Sequence, residues 1–138
     1  MKIDTGQWNR YFDQHAVVAI LTQDPRVEAA YLLGSAVHGA MRPDSDVDIA
    51  ILPAPAVCID DINRIELGVD LTMAAGREVD LGIISSDNLV YAREALLTGR
   101  RIYARNPAIA DAHAHILLGM YFCFNEERKE VLDAYHNR

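Results

Sequence analysis

The chain has little of what marks a protein for an oxidising compartment, a membrane or a nucleic acid. Cysteine occurs only at Cys58 and Cys123 in 138 residues. That spacing makes no CxxC pair, so neither a disulfide framework nor a zinc site is expected, and a reducing cytoplasm is the default location. No apolar run approaches the roughly 20 residues of a membrane span, and Met1-Lys2-Ile3-Asp4 opens no signal-peptide core. Positive charge is also short, with 13 Lys and Arg against 20 Asp and Glu, a net charge of -7. An acidic surface disfavours direct nucleic-acid binding, because phosphate neutralisation relies on Lys and Arg. It leaves room for a small phosphorylated ligand held together with a metal.

What is present is a globular proportion of apolar residues, 51%, in a length that suits one domain, 1–138. Such a domain has a core but no room for a separate substrate domain beside a catalytic one. Asp4-Thr5-Gly6 offers helix caps, and Trp8, Tyr11-Phe12, His15-Ala16 and Ala19-Ile20 then recur at helical spacing up to Gln23-Asp24-Pro25. Val27 to Leu33 reads as a strand, Ala36 to Ala40 as a short helical start, and Asp46 to Leu52 as a second strand stopped by Pro53 and Pro55. Asp60-Asp61 caps a helix in which Ile62, Ile65, Val69 and Met73 form one face, with Gly76 as its C-cap. Val79 to Ile84 is a third strand, Asn88 to Thr98 a helix before Gly99, and Arg101 to Ala104 a short edge strand. Asn106-Pro107 then starts a long helix reaching Tyr135. The fold class is therefore α/β (α+β): a small mixed sheet of about four strands, helices mostly on one side, and a long C-terminal helix at about 107–136.

The stretch that carries chemistry runs from Leu33-Gly34-Ser35 to Asp46-Val47-Asp48. Side chains alternate along a strand, so Asp46 and Asp48 share a face with Cβ atoms about 7 Å apart. Val47, Ile49 and Ile51 point the other way, into a core. Two carboxylates on one face repel unless a cation sits between them. Asp80 alternates with Val79 and Leu81 and joins that face if the third strand lies beside the second. Three converging carboxylates supply the hard oxygen ligands of a Mg²⁺ site. Gly34 permits close backbone approach to a phosphate, with the Ser35 hydroxyl and helical N–H groups as donors.

Other readings of these residues fail on detail. Gly34-x4-Gly39 imitates a phosphate loop, but Ala40-Met41 stand where Lys-Ser/Thr is required. Asp44-x-Asp46-x-Asp48 imitates a calcium loop, but Ile49 and Pro55 occupy the Gly and Glu positions. A plain polar turn on a sheet edge would put Thr or Lys, not two aspartates, into an apolar strand. His38 is a loop histidine that could reach a phosphate. His113 and His115 are two apart on a helix and face different ways.

Gly34-Ser35, ten residues, then Asp46-Val47-Asp48 resembles the signature of the DNA polymerase β-like nucleotidyltransferase superfamily. The fuller string, with Gly39, Arg42 and Asp44-Ser45, is similar to its minimal members in bacteria and archaea. The resemblance spans about 27–104 as a catalytic core. It implies that Gly34 and Ser35 bind the triphosphate and that Asp46, Asp48 and Asp80 are the catalytic, metal-holding carboxylates. Many members carry arginines soon after Gly-Ser. This chain has Ala36-Val37-His38 there, which leaves Arg42 as the nearest basic nucleotide-binding candidate.

Transfer also needs an acceptor. Ile109, Ile116, Met120, Phe124, Val131 and Tyr135 follow helical spacing, and Leu117, Tyr121 and Phe122 widen the apolar surface beyond one stripe. Minimal nucleotidyltransferases of this size resemble the antitoxins of two-gene modules whose partner is a HEPN-domain ribonuclease toxin. The resemblance implies transfer of AMP from ATP to a partner tyrosine, with Mg²⁺ as cofactor and the C-terminal helix as the partner-binding element. Two other readings stand beside it: neutralisation by binding alone, and transfer to a small molecule such as an antibiotic.

Overall fold

The computed structural model describes residues 12–38, 42 and 44–137. The expected cap at Asp4-Thr5-Gly6, the apolar positions Trp8 and Tyr11, and the residues 39–41 lie outside them. Helix α1 spans Gln14–Gln23. It starts later than its spacing suggests, because the Asp13 carboxylate accepts from the N–H of Ala16 and caps the helix there. Phe12 is buried just ahead of that cap rather than inside the helix.

Four strands follow: β1 (Val27–Leu33), β2 (Val47–Pro53), β3 (Val79–Ile83) and β4 (Arg100–Ala104). Their order in the sheet is β3-β2-β1-β4. β1 is antiparallel to both β2 and β4, and β2 is parallel to β3. The parallel pair is joined by α3 (Asp61–Ala75), a connection long enough to return the chain to the same end of the sheet. Between β1 and β2 lies only the four-residue helix α2 (Ser35–His38) and a turn. Asparagine caps open the remaining helices, Asn88 for α4 (Leu89–Thr98) and Asn106 for α5 (Pro107–His136).

Helices cover both faces of the sheet, not mostly one. On the first face Val17 and Leu21 of α1 and Leu67, Leu71 and Ala75 of α3 pack on Val47, Ile49 and Ile51. On the second, Ala92 and Ala95 of α4 and Ala110 and Leu117 of α5 pack on Ala29, Tyr31, Ala50 and Leu52. β1 and β2 are accordingly buried along almost their whole length, the pattern of strands covered on both sides. A bulge between Val27 and Ala29 shifts the alternation of β1.

Helices α3, α4 and α5 all expose apolar residues, Val90 and Leu97 in α4. The α3 face marked by Ile62, Ile65, Val69 and Met73 looks outward, and the helix buries Leu67, Leu71 and Ala75 instead. In α5 no residue beyond Leu117 is buried, and every residue from 122 to 137 is exposed. Among the described residues, no helix is long and apolar enough to cross a membrane.

Candidate active site

The site is built where three neighbouring strands end or begin. β1 stops at Leu33, and Gly34 follows with φ +65°, the left-handed turn that lets Ser35 open α2 at once. Glycine is needed there for a second reason: a β-carbon would lie 2.9 Å from Asp48 Oδ2. Leu33 is the register partner of Asp48 on β2, and Asp48 is the register partner of Asp80 on β3. The Gly-Ser turn, Asp48 and Asp80 therefore form a row across adjacent strands. Asp46 sits just ahead of β2 rather than within it, and it is exposed.

Electrostatics reports the crowding. The Asp48 carboxyl is raised above the usual carboxylate range, first by burial and then by the charges of Asp80 and Asp46. The structure thus brings the three predicted carboxylates into mutual influence with Gly34 and Ser35 beside them. Among the described residues, no group of three or more His, Cys, Asp or Glu side chains stands close enough to hold a metal ion by itself. A cation bound here would complete its shell with substrate oxygens and water, as Mg²⁺ does in phosphate-processing sites.

Arg42 does not join this row. It lies in the exposed turn before β2, where its N–H donates to Ser45 Oγ and its carbonyl accepts from Arg77. It does not line the cavity of about 320 Å³ formed by Leu33, Asp48, Asp80, Gly82 and Tyr91. His38 is exposed at the end of α2.

Tyr91 is the residue that sequence reading missed. It reaches from α4 across Gly82 of β3, whose β-carbon, if present, would run into the Tyr91 hydroxyl and come within 2.6 Å of Cζ. Burial, then the charges of Asp80 and Asp48, push its phenol from an ordinary 10.0 up to about 12. Tyr91 therefore remains a hydrogen-bond donor beside the carboxylates at any physiological pH. The only signal in the chain was an isolated glycine inside a strand, which marks a close approach without naming what approaches.

Known proteins are similar to this chain in sequence and fold. The protein adenylyltransferase MntA of Shewanella oneidensis is 27% identical over 122 residues, covering 88% of this chain and 86% of that protein. A chain of a solved toxin–antitoxin structure with AMP-PNP superposes with a TM-score of 0.73 at 26% identity, over 90% of this chain and 98% of its own length. A chain from the structure of tri-AMPylated Shewanella oneidensis HEPN toxin in complex with MNT antitoxin does so with a TM-score of 0.68 at 25% identity, over 90% and 96%. Residues 15–108, which hold all four strands and the whole carboxylate row, match the Polymerase beta nucleotidyltransferase family, and the chain belongs to it.

Proposed function

We propose that this chain transfers AMP from ATP to a hydroxyl, a tyrosine's in our reading, of a HEPN-domain toxin, and so serves as the antitoxin of a two-gene module. The observation that carries the proposal is the row Gly34-Ser35, Asp48, Asp80 on three adjacent strands of a nucleotidyltransferase fold. The likeness to an adenylyltransferase and to antitoxin complexes supports the choice of AMP and of partner.

The donor set, three carboxylates whose mutual repulsion a cation would offset, suits a divalent metal, Mg²⁺ in our reading. Held by Asp46, Asp48 and Asp80, it would neutralise triphosphate charge and polarise the α-phosphate. Gly34 lets the triphosphate approach the backbone, and Ser35 donates to its oxygens. Asp80 accepts the proton of the acceptor hydroxyl while that oxygen bonds to the α-phosphorus. The bond from the α-phosphorus to the bridging oxygen breaks, and pyrophosphate leaves toward Ser35. Arg42, in its exposed turn, is a further contact for the polyphosphate. The protein works in the cytoplasm, which both exposed, unpaired cysteines suit.

A second reading rests on α5. Ile116, Met120, Phe122, Phe124, Val131 and Tyr135 are exposed on a helix that outruns its own core, which supports a partner-binding surface. Binding alone could then neutralise the toxin. Purified protein, Mg²⁺, ATP labelled at the α-phosphate and the protein encoded by the neighbouring gene separate the two. Label on the partner that disappears in Asp46→Ala/Asp48→Ala supports transfer. A double variant that neutralises as well as wild type, with no label moved, defeats it.

A further inference from the structure

β3 is an outer strand of the sheet. Its even-numbered backbone groups face β2, as the bonds from Val47 N–H to Glu78 O and from Ile84 N–H to Ile51 O indicate. The groups of Val79, Leu81 and Ile83 therefore face outward. Two of these are engaged from α3: Thr72 Oγ1 accepts from the Val79 N–H at 3.0 Å, and Arg64 donates to the Leu81 carbonyl at 3.3 Å. Among the described residues no strand lies beyond this edge, and a groove of about 460 Å³ runs between it and α3. Ile65, Val69 and Met73 form its apolar wall, and Asp80 lines the groove as well as the acidic cavity. The wall is open to solvent, with Val69 57% and Met73 80% exposed.

Reaction geometry says what belongs there. In displacement at phosphorus the incoming and leaving oxygens lie on opposite sides. The sheet places the Gly34-Ser35 turn, Asp48 and Asp80 on β1, β2 and β3 in succession, at strand spacings of about 4.8 Å. With pyrophosphate departing on the β1 side, the acceptor oxygen arrives from the β3 side, over the open edge. A small hydroxyl compound has no use for three solvent-exposed apolar side chains just around that edge, on the α3 side of the sheet. A polypeptide whose acceptor residue is flanked by apolar side chains covers them.

We infer that the groove between α3 and the β3 edge binds the apolar segment of the partner protein that carries the acceptor hydroxyl. The inference rests on the adenylyltransferase reading above and adds the acceptor's binding site to it. Val69→Glu/Met73→Glu changes two outward side chains, and thermal melting by circular dichroism checks the fold. With labelled ATP and the protein encoded by the neighbouring gene as acceptor, the KM for the acceptor is expected to rise tenfold or more, with the KM for ATP unaltered. An unchanged acceptor KM places the segment elsewhere and overturns the inference. A raised KM for ATP makes the groove a nucleoside site, and a wild-type dimer dissolved by the substitutions makes it a self-interface; either overturns it too. A wild-type protein that labels no partner defeats the transfer reading, and this inference with it. Independently of the double variant, a photo-crosslinking phenylalanine at position 69 is expected to capture a partner peptide containing or adjoining the AMP-bearing residue. Capture of a remote peptide overturns the assignment.

Discussion

The two faces of the sheet are made of different residues. The first is bulky and closed, with Leu21, Leu67 and Leu71 against Val47, Ile49 and Ile51, all buried. The second sets Ala29, Ala50, Ala92, Ala95 and Ala110 beside Tyr31, Leu52, Ile84 and Leu117, and its alanines keep α4 and α5 close to the strands. At the β3 side of that face stand Asp48, Asp80 and Tyr91. One strand serves both: in β2, Ile49 supports the first face and Asp48 the chemistry of the second. Stability and function are thus divided by the pleat, one residue apart.

Substituting those neighbours sharpens the division. Asp48→Asn is expected to lower AMP transfer about 10³-fold, by removing the carboxylate at the centre of the row. Its effect on stability has the opposite sign. The carboxyl is raised in the fold, so the stability present below its ordinary pKa is lost as pH rises through the raised value. The asparagine variant should therefore melt at a higher temperature than wild type at neutral pH in EDTA. Ile49→Ala is expected to do the reverse, costing about 2–5 kcal/mol in urea unfolding while the folded fraction keeps its specific activity.

Smaller effects lie where α4 meets β3. Gly82→Ala forces the Tyr91 ring off the strand, with an expected cost of about 1–3 kcal/mol and a loss of activity measurable in the same labelling assay. Tyr91→Phe keeps the ring and removes only the hydroxyl, so a change in rate below about tenfold is expected. Its signature is in alkali. Because the folded phenol titrates at about 12 and the unfolded one at 10.0, the unfolded chain gives up its proton first, and wild-type stability falls as pH rises between those values. The phenylalanine variant should flatten that part of the pH–melting curve, and an unchanged slope would remove Tyr91 from the account.

Local chemistry was legible in the chain, and the partners of each surface were not. Asp60, Asn88 and Asn106 announced their helices because a cap involves only three or four consecutive residues. The Gly34-Ser35 turn and the place of Asp48 on β2 were readable for the same reason, whereas Asp46 lies ahead of the strand whose period was used to place it. The second covered face was hidden because alanine carries little hydrophobic signal, and Ala92, Ala95 and Ala110 look like surface filling. In α3 two apolar stripes compete, Ile62-Ile65-Val69-Met73 and Leu67-Leu71-Ala75, and periodicity alone does not say which meets the sheet. Tyr91 meets Gly82 only after α4 folds back, and nothing in either residue's neighbourhood along the chain foretells it.

Helix α5 is anchored near its start by Arg101 to Asp111 at 2.6 Å and midway by Arg93 stacked on Tyr121 at 5.4 Å. Past that point about four turns have every described residue exposed to solvent. A helical segment of that length is marginal in water by itself, so its backbone opens far more often than the sheet's. A protease meeting the solitary chain should cut first between residues 122 and 137, and a bound partner should suppress that cut, as timed digestion followed by mass spectrometry would record. A first cut confined to that overhang would shorten the lifetime of free protein relative to protein whose overhang is covered.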